Sequence, residues 1–124
     1  MEFELAHSIS LIDHKTKGRD LLKHSLSAVR KGAWIGIGKV GDISMIKCLI
    51  EDYQNSPIPW LRHSAYKAID HILINIQAFS SKKETLNGLV SIKKLLRDTE
   101  QGLQTRIDWT ENILKKRINK QMKL

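Results

Sequence analysis

Ala28-Val29-Arg30-Lys31-Gly32-Ala33-Trp34-Ile35-Gly36-Ile37 returns, about 32 residues further on, as Trp60-Leu61-Arg62-His63-Ser64-Ala65-Tyr66-Lys67-Ala68-Ile69. Arg30 aligns with Arg62, Ala33 with Ala65, Trp34 with Tyr66 and Ile37 with Ile69. One shared offset of this size is the mark of an array of helical hairpins, in which each unit buries its apolar face only against its neighbours. A weaker third copy follows, with Thr105-Arg106, Trp109 and Ile113 in the Arg, Ala and Ile slots. Stacked helix pairs generally hold partners rather than transform substrates.

Working outward from the repeat, a chain of 124 residues and 14.2 kDa is expected to form one domain. A hydrophobic fraction of 41% and a charged fraction of 27% suit a soluble globular protein with one continuous core. Lys and Arg number 21 against 13 Asp and Glu, a formal net charge of +8. Such a balance favours acidic partners, although charge that only solvates helix surfaces is the plainer source. Much of it is local: Lys15, Lys17, Arg19 and Lys23 form one group, and Lys115, Lys116, Arg117, Lys120 and Lys123 another. Cys48 is the single cysteine, so no intrachain disulfide can form and a reducing, cytoplasmic setting is expected. The start Met1-Glu2-Phe3-Glu4 lacks a basic segment before an apolar run, and no run approaches a membrane span.

Apolar spacing predicts helices throughout. Phe3, Leu5, Ala6, Ile9 and Ile12 give a first helix over about 2–13. Leu21, Leu22 and Leu26 give a second short one past Gly18, or a bent continuation of the first. Val29, Ala33, Ile37 and Val40 trace one face of a helix over about 27–40. Gly41 is expected in a left-handed terminating position, with Asp42 capping a helix over about 43–54. Asn55-Ser56-Pro57-Ile58-Pro59 breaks the chain, and Pro59 suits the first turn of a helix running to about residue 78. Helices over about 84–97 and 103–119 follow, parted by Asp98-Thr99-Glu100-Gln101-Gly102. No useful stretch alternates at period two, so the fold class is expected to be all-α, with short turns making neighbours antiparallel.

The order Val29-Arg30, Ala33, Ile37-Gly38-Lys39-Val40-Gly41-Asp42, Met45-Ile46 and Leu49 resembles a HEAT repeat, and more narrowly the short HEAT-like repeats of phycobilisome-lyase-type proteins. Residues 28–50 match closely. Residues 60–73 match in the Arg, Ala and Ile slots but lack the Gly-Asp ending, and residues 103–117 match loosely, with Trp109 where the family has a small residue. The resemblance implies a right-handed α–α superhelix of about three hairpins, with repeats over about 18–40, 42–78 and 84–119 behind a capping helix over 2–13. It also implies a ladder in which Arg30, Arg62 and Arg106 bond acidic groups or backbone carbonyls between repeats. Its motif speaks to fold and is almost silent on function.

Chemistry-bearing constellations are weak. Gly36-Ile37-Gly38-Lys39-Val40-Gly41 spells a dinucleotide fingerprint, but it lies in a helical pattern with no strand before it. His7, His14, His24, His63 and His71 form no pair at metal-ligand spacing. Asp70-His71 and Asp13-His14 are adjacent, so their side chains diverge on a helix. Ser8, Ser10 and Ser25 lack a glycine elbow. No catalytic residue, metal ligand or cofactor is therefore expected, and Trp60 and Trp109 are expected in the core or against turns.

Trp34 and Tyr66 hold equivalent slots, as do Lys31 and His63, and Lys67 follows Tyr66. On the second helices of a solenoid these five would lie on the concave face, the usual binding surface. The expectation is a non-catalytic protein-interaction module or small scaffold that grips a partner, plausibly acidic, through Lys31, Trp34, His63, Tyr66 and Lys67. The alternatives are a basic concave face that tracks a nucleic-acid backbone and, by analogy with HEAT-like bilin lyases, an accessory subunit of an enzyme. So short an array also leaves its ends unmatched, which suits a homodimer or a place in a larger repeat assembly.

Overall fold

Where the sequence shows apolar residues at helical spacing, the computed structural model, which describes residues 2–97 and 99–122, has helices, and no strand occurs among the described residues. The fold is all-α. The elements are α1 (Glu2–Ile12), a π-helical turn (His14–Gly18) that runs into α2 (Arg19–Leu21), α3 (Ser27–Val40), α4 (Ile43–Asn55), α5 (Pro59–Phe79), α6 (Lys83–Lys93) and α7 (Gln101–Met122). Asp98 of the last expected turn and Lys123 of the basic C-terminal run lie outside the described residues. No helix among the described residues is long and apolar enough to cross a membrane. The chain's contacts gather into two units, Met1–Ile72 and Leu73–Leu124, with the boundary inside α5.

In the first unit, α1 is bent away at Asp13. Its carboxylate accepts the Thr16 amide at 3.2 Å, and the Gly18 amide reaches the Asp13 carbonyl at 2.8 Å. That five-residue span is the wide turn of a π-helix; Asp13, with φ −138° and ψ 73°, is non-helical and caps it, so a second short helical segment follows α1 instead of a bent continuation of it. α1 buries only Ala6 and Ser10 completely, whereas Leu5 is 63% and Ile12 87% exposed. What holds it is close backbone approach. A Cβ on Gly32 of α3 would stand 2.3 Å from the Phe3 carbonyl oxygen, and one on Gly36 2.8 Å from that of His7.

α3 and α4 form with the expected boundaries to within a residue. Asp42 caps α4, accepting the Met45 amide at 3.2 Å and the Ser44 hydroxyl at 2.6 Å, and these bonds hold its carboxyl below the usual range. Gly41 corrects one expectation: it is extended, with φ −71° and ψ 152°, not left-handed. Glycine is needed there for room, since a Cβ would lie 2.7 Å from both the Ile37 carbonyl oxygen and Ile72 Cδ1. The core of this unit includes Leu22, Ile37, Ile46, Leu49, Ile69 and Ile72, all fully buried.

In the second unit Leu89 and Ile92 of α6 and Leu103, Ile107 and Leu114 of α7 supply the core. α6 ends earlier than its apolar spacing suggests. The amides of Lys94, Leu95 and Leu96 bond the carbonyls three residues back, which tightens and stops the helix, and Leu95 is left 44% exposed. The last carbonyls of α5 are met by Arg117 of α7, whose guanidinium donates to Gln77 and Ser80. The Gln77 amide also donates to the Thr110 hydroxyl at 2.7 Å.

Candidate partner-binding face

Each position from 27 to 37 in α3 shares its burial with the position 32 residues later in α5. Val29 and Leu61, Gly32 and Ser64, Ala33 and Ala65, Gly36 and Ala68, and Ile37 and Ile69 are buried. Arg30 and Arg62, Trp34 and Tyr66, and Ile35 and Lys67 are half-buried, while Lys31 and His63 are exposed. The burial pattern of 27–37 thus recurs over 59–69, and of the five expected contact residues two are exposed and three half-buried.

Of those five, Trp34 and His63 touch, edge to face, with ring centroids 5.9 Å apart and planes at 86°. This geometry sets the positive edge of one ring against the negative face of the other. Tyr66 packs instead against Tyr53 of α4, with centroids 5.8 Å apart and a tilt of 46°. Lys67 bears on His71 one turn later. Burial pushes the His71 imidazole below its ordinary pKa, Asp70 opposes this, and the Lys67 charge adds to it. His71 also packs against α3, where a Cβ on Gly38 would stand 2.3 Å from His71 Cβ. Gly36 and Gly38 therefore serve helix packing inside α3, with Gly41 directly after it.

The arginines behave alike in the two copies. Arg30 Nη1 donates to the carbonyls of His24 and Ser25, each at 2.9 Å, and Arg62 Nη1 donates to the Ser56 carbonyl at 2.7 Å. Both reach back six residues into the turn that precedes their own helix, where carbonyls lack helical partners. Arg106 lies on the exposed side of α7, and in that unit Arg117 donates to carbonyls at the end of α5. The third copy also departs in its small-residue slot: Ala33 and Ala65 are 0% exposed and Trp109 is 65% exposed, so the expectation that Trp109 is a core residue is corrected. Trp60 is 44% exposed, yet its indole N–H donates to the Lys23 carbonyl at 2.8 Å, a turn-packing role.

Sequence reasoning missed the best-made ion pair. Arg19 straddles Asp52 with bonds of 2.7 and 2.9 Å and donates to the Cys48 carbonyl at 3.3 Å. The Asp52 bond holds the guanidinium above its already high pKa, against the opposing effect of partial burial. Beside it lies a cleft of about 330 Å³ lined by Lys15, Thr16, Arg19, Asp20, Lys23, Asp52 and Leu61. A signal existed in the spacing of Arg19 from the Glu51-Asp52 pair, but no periodic rule links them. Cys48 is half-buried on α4 rather than enclosed. Among the described residues no three His, Cys, Asp or Glu side chains converge as a metal site.

Compared with models of protein families, with curated proteins and with solved structures, the chain matches none.

Proposed function

We propose that the chain is a HEAT-like repeat protein that works as a non-catalytic interaction module, holding a protein partner on the face formed by Lys31, Trp34, His63, Tyr66 and Lys67. The observation that carries this reading is the shared burial of residues 27–37 and 59–69, which sets half-buried aromatics, Trp34 and Tyr66, and exposed side chains, Lys31 and His63, at matching positions. Trp34 and Tyr66 are half-buried and anchored by a ring neighbour each, so little side-chain entropy remains to be lost on binding. Rigid aromatics beside cations are what binding hot spots are made of, and the cations favour an acidic segment in the partner.

The test is quantitative affinity capture from nuclease-treated native lysate, with the wild-type chain set beside a Lys31→Glu, Trp34→Ala, Lys67→Glu variant. The reading requires proteins that the wild type retains and the folded variant loses. Identical retention by both chains would dismiss this face as the contact surface.

A further inference from the structure

Positive charge is unevenly divided along the chain. Residues 1–72 carry ten Lys and Arg against eight Asp and Glu, whereas residues 73–124 carry eleven against five. The second stretch therefore supplies +6 of the net +8. Within it, the acidic groups of α7 are already occupied. Lys93 bonds Asp108 at 2.7 Å and Glu111 at 3.0 Å, and Lys115 bonds Glu111 at 3.0 Å. Burial works to raise the Glu111 carboxyl, but the bonds from Lys115 and Lys93 outweigh it and keep it below the usual carboxylate range.

The opposite face of α7 bears no carboxylate. At 100° per residue, Gly102, Thr105, Arg106, Trp109, Asn112, Ile113, Lys116 and Lys120 fall within about 60° of the Trp109 direction. All but the half-buried Ile113 are exposed, Trp109 to 65%. Arg106 and Lys120 are separated by roughly 21 Å along the helix axis. The stripe thus offers three cations, two small polar side chains and one indole standing in water, with a single half-buried aliphatic residue, Ile113, among them.

We propose that this face of α7 binds single-stranded nucleic acid, with Arg106, Lys116 and Lys120 on phosphates and the Trp109 indole stacked on an unpaired base. Charge complementarity selects a polyanion. The lone exposed indole selects one with accessible π-faces, which a single strand has and a duplex encloses. An anionic bilayer fits less well. A helix lying in a membrane interface needs a broad apolar face to insert, whereas Leu103, Ile107 and Leu114 are at most 1% exposed and the half-buried Ile113 is the one aliphatic side chain in the stripe. This inference stands apart from the protein-binding face, which lies on α3 and α5.

The experiment is fluorescence anisotropy of a labelled oligothymidylate titrated with the full chain across a series of salt concentrations. A duplex of equal length and vesicles of mixed phosphatidylcholine and phosphatidylserine serve as competing probes. The single strand should bind more tightly than the duplex. Trp109→Ala should weaken binding about tenfold, with Trp109→Phe recovering most of the loss because a π-face is restored. Lys116→Gln with Lys120→Gln should flatten the slope of log K against log salt by about 1.4. Lys47→Gln, exposed on α4 and outside both faces, should leave the affinity unchanged. Circular dichroism should show wild-type helicity in every variant, since all the changed side chains are outward. The proposal is overturned by absence of binding at low salt, by duplex binding as tight as single-strand binding, by a neutral Trp109→Ala, or by vesicle binding without oligonucleotide binding.

Discussion

Helices α3 and α5 agree in burial from residues 27–37 to residues 59–69, and they differ in what fills two of the buried slots. Gly32 and Gly36 stand in α3 where Ser64 and Ala68 stand in α5. The two glycines lie under the main chain of α1, close enough that any side chain would strike a carbonyl. Ser64 instead has room for a hydroxyl, which bonds the Trp60 carbonyl at 2.7 Å within its own helix. Periodicity therefore decides which face goes inward, and side-chain size decides how near the next backbone may come. The two helices share the first property and part at the second.

Four sets of substitutions would break or sharpen that comparison. The largest effect belongs to the shared core slot. Ile37→Ala and Ile69→Ala should each cost about 3–4 kcal/mol in denaturant unfolding, because both side chains are fully buried. Closely matched losses would sustain the equivalence of the slots, and a loss at one site only would end it. Next is the slot that differs. Gly32→Ala should cost about 2 kcal/mol, since the clash with the Phe3 carbonyl outweighs the gain in helix propensity. Ser64→Ala, at the equivalent position, should stay within about 0.5 kcal/mol, because only a bond inside one helix is lost.

The arginines come third. Arg62→Met should cost about 1–2 kcal/mol and Arg30→Met about 1 kcal/mol, for the Arg62 bond is partly buried and the Arg30 bonds are exposed. Smallest is a pH effect that only α5 carries. His71 has a depressed native pKa, so as pH falls through the ordinary histidine value of about 6.5 the unfolded chain takes up the proton first. Stability contributed by neutral His71 is thus present above that pH and declines until the lower native value is passed. Urea unfolding of His71→Gln should show a flatter profile through this window than the wild type does. An unchanged profile would mean that His71 is as well solvated in the fold as out of it.

Much of the helical plan could be read in the residues because apolar spacing, Asp42, and Pro59 are local signals. The bounds of α3 and the start of α5 follow from them directly. Less local facts were hidden. Gly41 is a glycine for want of space beside Ile72, a residue 31 positions away, so its conformation could not be guessed from the turn alone. α6 stops at Lys93 although Leu95 and Leu96 continue the pattern, because its end is set by a tightened turn. On the candidate face neither ring pairing follows from the 32-residue offset, which matches Trp34 with Tyr66: Trp34 meets His63 instead, and Tyr66 meets Tyr53 of α4. The third copy departs from the first two in burial: Arg106 is exposed where Arg30 and Arg62 are half-buried, and Trp109 is exposed where Ala33 and Ala65 are buried.

The equivalence of the two copies is tested most directly by a cysteine-accessibility scan in a Cys48→Ser background. Single cysteines would replace each non-glycine residue of 27–37 and its counterpart 32 positions later, and alkylation rates would be measured under native conditions. The rates should superimpose at that offset, slow at 29, 33 and 37 as at 61, 65 and 69, and fast at 31 as at 63. Two profiles that fail to align at this offset, or a fast rate at 33 or 65, would contradict the account.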